Sequence, residues 1–304
     1  MKEPQLSRRS GLSNRLIERL AAYVMVFPAM LLLGVFVGIP IIASLVLVFM
    51  RYDALTPPVW IGNDNFVRLI KDPRLLTMYS NTVKLTIGAV IGNNVLGLLI
   101  ALGLRRITHR FWKSFLRTSI FFPVLTTTST LAVVWWFLLS DNRGILNWFL
   151  SKIGLVPVHW LTSSNTVIYS LILYDIWKTC GLVAIIYLAG LQGISKEYYE
   201  AAEIDGAKSS QLFRYITLPL LTPSIFFNIT LGIIGGFQIF DAPFVLTGGG
   251  PGDASGTIAF YVWQIAFSRF EFGYGSAVAV VLMIILIVIT LLQFRISQKW
   301  VFYE

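Results

Sequence analysis

Long apolar runs recur along the chain, separated by shorter polar stretches, at roughly 22–49, 82–104, 118–139, 166–192, 224–247 and 275–294. A bilayer core of about 30 Å takes about 20 apolar residues of helix at 1.5 Å rise. The pattern predicts an all-α polytopic membrane protein with six transmembrane helices, and a transmembrane domain over 22–294. The first run follows a basic stretch, as a signal peptide would. It is far longer than a signal core of about 7–15 residues and has no small-residue cleavage pattern, so it is expected to be a retained anchor.

One polar stretch differs from ordinary connectors. From Glu197 to Leu220 it reads EYYEAAEIDGAKSSQLFRYITLPL. Ser195 is placed to cap a helix with Glu197 near its positive end, and alanines at 201 and 202 favour that helix. Gly206 is expected to stop it in a left-handed conformation. Ser209 or Ser210 is expected to cap a second helix, which Pro219 then limits. Phe213 and Ile216 share a face of it. The prediction is a polar helix–turn–helix over 195–220 between two spans.

Composition supports the membrane reading. Of 304 residues, 56% are hydrophobic and only 13% charged, against roughly 25% in soluble domains; mean hydropathy is +0.73. The net charge of +9 is therefore read as loop charge, not as a nucleic-acid surface. Fifteen Lys and Arg fall in the N-terminal tail, the segment 105–117, the stretch 195–220 and the C-terminal tail, and seven in the other connections. The positive-inside rule puts the first set in the cytoplasm. The tails, 1–21 and 295–304, and the helix–turn–helix are then all cytoplasmic. Trp60, Trp148, Trp160 and Trp263 fall in the outer connections, where an interfacial belt accounts for them.

Most chemistries find no residues here. Cys180 is the only cysteine, and His109 and His159 lie in different connections; no disulfide and no metal site of known spacing follows. There is no GxxxxGK[ST] phosphate loop, so the chain carries no ATP motor of that kind. The glycine-rich run Thr247 to Gly256 lacks the lysine and reads as an outer turn. No HExxH or GxSxG supports an intramembrane hydrolase. What remains is transport. Ionisable groups inside spans are costly and face a cavity or a partner. Asp175 and Lys178, three apart in the fourth span, form either an ion pair with each other or a polar wall of a pathway. A proton-coupled secondary transporter using Asp175 as a relay is the competing reading.

The order of residues in the polar stretch resembles the coupling loop of permease subunits of binding-protein-dependent ABC importers. The matching positions are Glu200, Ala201, Ala202, Asp205, Gly206, Ala207, Phe213, Ile216, Leu218, Pro219 and Leu220. Ser195 stands where many relatives have proline. The segments WIGNDNFVRLIKDP, LAGLQGI and LTGGGP are similar to the carbohydrate-uptake branch, in particular to the maltose-permease-like first member of a permease pair, though without that protein's extra N-terminal spans and large outer domain. The resemblance implies a type I ABC importer permease fold in a bacterial or archaeal inner membrane. It implies a second permease subunit, two ATPase subunits on the cytoplasmic loop and an extracytoplasmic solute-binding protein delivering a sugar or sugar-like solute. ATP and Mg would be bound by the ATPases, leaving this chain without a cofactor or catalytic residues. It also implies a solute pathway at Val124, Thr128, Asp175, Lys178, Thr179, Leu182, Gly232 and Gly236. Helix packing through small residues is the other reading of the two glycines.

Overall fold

The computed structural model describes residues 11–302 except Arg143, with side chains described from Glu18 onward. The predicted tail residues Lys2, Arg8 and Arg9, and the last two residues of the C-terminal tail, lie outside the described residues.

Four helical stretches are long and apolar enough to cross a membrane, and two bent pairs bring the number to six. The first is α1, Gly11–Leu33, which passes through a widened turn at Gly34–Gly38 into α2, Ile39–Leu47. From Glu18 to Val46 its residues are exposed, Gly38 and Ser44 excepted, as lipid contact requires. A two-residue hairpin pairs β1, Met50–Arg51, antiparallel with β2, Val59–Trp60, and leads to α3, Asp64–Lys71. The central helix is α4, Pro73–Arg106. Then come α5, Arg110–Leu125, α6, Thr128–Leu138, α7, Ile145–Lys152, and the long α8, Val167–Gly193.

The third apolar run is not one straight helix. α5 and α6 meet at 101°. Pro123 supplies no N–H in the last turn of α5, and Thr126 and Thr127 are extended. The fifth run also differs from the predicted 224–247. Its helix α12, Thr222–Phe237, stops at Phe237, and the apolar residues beyond it form a separate wide turn, Pro243–Thr247. α13, Ile258–Trp263, and α14, Phe272–Ser297, complete the chain.

Packing fixes the directions. Leu85 on α4 meets Leu171 on α8 near one end, and Ala101 meets Val183 and Tyr187 near the other, so these helices run parallel. α12 runs against α4: a Cβ on Gly232 would lie 2.9 Å from Val90, and one on Gly236 2.6 Å from Thr86. Small residues here set the interhelical approach, as the packing reading required. α14 runs with α4: it starts beside the start of α4, Tyr274 on Asp72, and the chain leaves it beside the start of α12, Phe302 on Thr222.

The end bearing α3 and the chain after α12 is tied by polar contacts. Asp72 caps α4 and accepts from Tyr261 Oη at 2.5 Å and Tyr274 Oη at 2.6 Å. Arg74 grips Asp253 through two nitrogens, at 2.8 and 2.6 Å. Asn81 Nδ2 donates to the carbonyls of Asp253 and Gly256. Burial works to raise the Asp72 carboxyl, but the two tyrosine hydroxyls and the N–H groups of Arg74 and Leu75 outweigh it and hold it below the usual carboxylate value. We call this set the clasp. The glycine-rich run forms part of it, with Gly249 at φ +84 lying where a Cβ would meet Phe260 at 2.5 Å.

Candidate functional site

A cavity of about 520 Å³ opens between α4, α8 and α12. Each helix contributes one face. From α8 come Tyr174, Asp175, Lys178, Thr179 and Leu182, whose spacings of three and four place them on adjacent turns. From α4 come Asn93 and Asn94, and from α12 Asn228, Gly232 and Gly236. Thr128 enters because the break between α5 and α6 turns the first residue of α6 inward. Of the eight pathway positions, seven line this cavity, and Val124 does not. Val124 lies in the last turn of α5, half-buried.

Asp175 and Lys178 do not pair. Asp175 Oδ2 accepts from Asn93 Nδ2 at 3.0 Å, while Lys178 Nζ donates to Thr128 Oγ1. Each charge is held by a neutral partner from another helix, so the ion-pair reading is corrected. A reach of one turn brings the two residues to the same wall, but Asn93 and Thr128 offer the closer partners. Tyr174 Oη donates to the Thr128 carbonyl at 2.8 Å. Tyr187 Oη donates to Asn94 Oδ1 at 2.5 Å. The Asn93 Oδ1 and Asn228 Nδ2 atoms are buried behind the cavity wall without a partner. Leu182, Val183, Ile186, Leu231 and Ile239 make the rest of its wall apolar. Such a mixture suits a solute with many hydroxyls and an apolar skeleton. Asn93, Asn228 and Asp241 also line the cavity and were not predicted. Asparagines in an apolar run carry a hint of an interior face, whereas Asp241 lies past the helix end and gave no periodic signal.

The polar stretch forms the predicted helix pair. Ser195 Oγ accepts from the Glu197 N–H at 3.3 Å and caps α9, Lys196–Ile204. Gly206 has φ +81, which a side chain disfavours. The second helix, α10, Ser209–Leu212, is capped at Lys208 rather than at Ser209 or Ser210. There the Gln211 side chain accepts from the Lys208 N–H at 2.7 Å. Pro219 does not end this helix either. A widened turn at Phe213–Thr217 shifts the pairing by one residue just ahead of it. The chain then continues as α11, Leu218–Leu220, before bending 60° into α12.

This pair has two faces. Tyr199, Ile216 and Leu220 pack on the buried ends of α4 and α8. Tyr199 also shares a hydrogen bond with Thr217 at 3.0 Å and accepts from Arg105 at 3.2 Å. Glu200, Ala201, Asp205, Gly206 and Leu218 face outward, with Ala202, Ala207, Phe213 and Pro219 half-buried. A hollow of about 260 Å³ is lined by Ala202, Asp205, Gly206, Ala207 and Ile216 among others. Tyr215, 69% exposed, also lines it, and Ile204 at the end of α9 is 87% exposed.

Residues 93–302 match the family model described as binding-protein-dependent transport system inner membrane component. The chain belongs to that family. The permease is 34% identical over 282 residues to the sulfoquinovosyl glycerol transport system permease protein SmoG of Agrobacterium fabrum, covering 92% of this chain and 91% of that one. It is 31% identical to the arabinooligosaccharides transport system permease protein AraP of Bacillus subtilis, covering 97% and 94%. Its fold matches a crystal structure of a bacterial ABC transporter involved in the import of the acidic polysaccharide alginate, with a TM-score of 0.83, 24% identity, and coverage of 95% and 98%. It is a multi-pass membrane subunit of an ABC transporter, not an enzyme. This sets aside the proton-coupled carrier that uses Asp175.

Proposed function

We propose that the chain is one of two permease subunits of a carbohydrate importer. An external binding protein delivers the solute, and two separate ATPases drive transport from the cytoplasm. The observation that carries this reading is the cavity of mixed polar and apolar lining inside the bundle, lined by seven of the eight pathway positions. The named solutes of SmoG and AraP, sulfoquinovosyl glycerol and arabinooligosaccharides, both contain sugars, and a cavity with amide, hydroxyl and apolar surface suits that class. Thr128, Asp175, Lys178, Thr179, Leu182, Gly232 and Gly236 line the pathway, with Val124 beside it.

The helix pair over 195–220 is the ATPase-coupling element. Glu200, Ala201, Asp205 and Gly206 meet the ATPase, Ile204 and Tyr215 give it apolar anchors, and Ile216 ties the element to the spans. Phe213, Leu218 and Pro219 shape the bend into α12, so a push on the hollow tilts the helix that carries Gly232 and Gly236. Both termini face the cytoplasm, and the clasp faces the binding protein.

The test is reconstitution of the chain with its second permease, ATPases and binding protein in proteoliposomes. Sugar uptake should require ATP inside and binding protein outside, and should survive an uncoupler. Uptake driven by a proton gradient without ATP would refute the reading.

A further inference from the structure

We propose that Asp241, Phe240, Phe244 and Trp263 form a separate carbohydrate subsite at the outer mouth of the cavity, which holds one sugar ring of the solute. This rests on the reading of the cavity as the solute path. It concerns residues beyond the end of α12, none of them among the eight pathway positions.

α12 ends at Phe237, and the next residues turn across the top of the cavity. Phe240 and Asp241 both reach its wall. Asp241 is half-buried, and no hydrogen bond or ion pair engages its carboxylate among the described residues, whereas Asp175 deeper in the cavity is held by Asn93. A carboxylate without a partner at the cavity wall is open to accept hydrogen bonds from a solute. No group of His, Cys, Asp and Glu able to hold a metal ion occurs among the described residues, so a metal does not supply the answer.

Beside Asp241 lies an aromatic cluster. Phe240 stacks on Phe244 with centroids 5.2 Å apart and planes 18° apart. Trp263 lies 4.7 Å from Phe244 and 5.6 Å from Phe240. Phe260, buried beneath, backs the group. Phe244 is 41% exposed. A sugar ring presents an apolar C–H face of positive edge charge, which suits an aromatic face, and a rim of hydroxyls. A carboxylate accepts two or more hydroxyl donors at once. Ring face and carboxylate side by side therefore match a sugar ring seated with its C–H face on the aromatic cluster and its hydroxyl rim toward Asp241. The location fits entry, because this end of the cavity lies opposite the coupling element.

The experiment uses the complete transporter in proteoliposomes with its binding protein. The probe is a mixture of mono-, di- and trisaccharides from hydrolysed starch, arabinan and cellulose, together with glycosyl glycerols. Uptake is read by mass spectrometry and normalised to chain assembled in the membrane. Asp241→Asn and Phe240→Leu should each lower uptake by about tenfold. Phe240→Tyr, which restores the ring, should recover most of the loss seen in Phe240→Leu. If Phe240→Leu fails to assemble, the isosteric Asp241→Asn and the ring-retaining Phe240→Tyr still decide. A loss confined to Asp241→Asn would mark a cation site, and a loss confined to Phe240→Leu would mark packing; either overturns the subsite. Normal uptake in both, with uptake abolished in Asp175→Leu, overturns the subsite and leaves the pathway reading standing. Normal uptake in Asp175→Leu as well, or no uptake of the mixture by the unmutated transporter, removes the pathway reading and the subsite with it.

Discussion

Valine at position 206 would place a β-branched side chain on a backbone of φ +81. A Cβ there meets no atom of this chain within 4 Å, so the cost is backbone strain of about 1–2 kcal/mol plus whatever the ATPase surface adds. Gly206→Val should therefore leave the spans folded and uncouple ATP hydrolysis from uptake. Measuring ATPase recruitment, hydrolysis and uptake together checks this, and normal values for all three would reduce the stretch to a connector. Gly206 was legible in the sequence because only a glycine break explains helix formers on both sides. The partners of Asp175 and Lys178 were not. Spacing left open an ion pair between them or a polar wall, and the choice of Asn93 and Thr128 depends on α4 and on the break before α6. Since neither charge neutralises the other, the single leucine variants should each impair uptake, and the double variant Asp175→Leu, Lys178→Leu should not restore it. Full transport by the double variant, with all forms present in the membrane, would contradict that.

Elements were readable where one period dominates and opaque where the chain breaks it. The apolar runs gave the spans, but the 101° bend between α5 and α6 hangs on one proline and two extended threonines inside a run that still scores as apolar. The widened turn before Pro219 is equally silent, since no residue type demands it. Close helix approach was half legible: glycines at 232 and 236 announced it, but not against which helix. With Thr86 2.6 Å from a Cβ on Gly236, Gly236→Val should push α12 from α4 and destabilise the bundle by about 1–3 kcal/mol, seen as a lower melting temperature in detergent. The clasp joins Arg74 to Asp253 across 179 positions of sequence, so no local pattern could reveal it. Its Asp72 is held below the usual carboxylate value when folded. A depressed pKa means that its stabilisation is complete above the unfolded value, near pH 4, and is lost as pH falls through the folded one. The melting temperature should drop below about pH 4, and Asp72→Asn should start lower and show a shallower fall.

At the scale of the molecule, the two ends have different chemistry. One end carries the helix pair, Arg105, Arg106 and the close of α14, where the Phe302 N–H donates to Thr222 Oγ1 at 3.0 Å. The other carries the clasp and the aromatic mouth. The packing of parallel α4, α8 and α14 against α12 assigns each connection to an end. The charge distribution, with fifteen basic residues against seven, predicts that the end carrying the helix pair faces the cytoplasm. Labelling can test this, because the two orientations expose opposite ends to an impermeant reagent. Ser209 is exposed at the start of α10, and Cys180 is the only native thiol. A Ser209→Cys variant in a Cys180→Ser background should resist an impermeant maleimide added to intact cells and react once the membrane is permeabilised. A cysteine at exposed Leu55, between the hairpin strands at the other end, should behave in the opposite way. Reaction at 209 in intact cells together with protection at 55 would invert the molecule, moving the helix pair out of reach of any cytoplasmic ATPase and removing the physical basis for coupling.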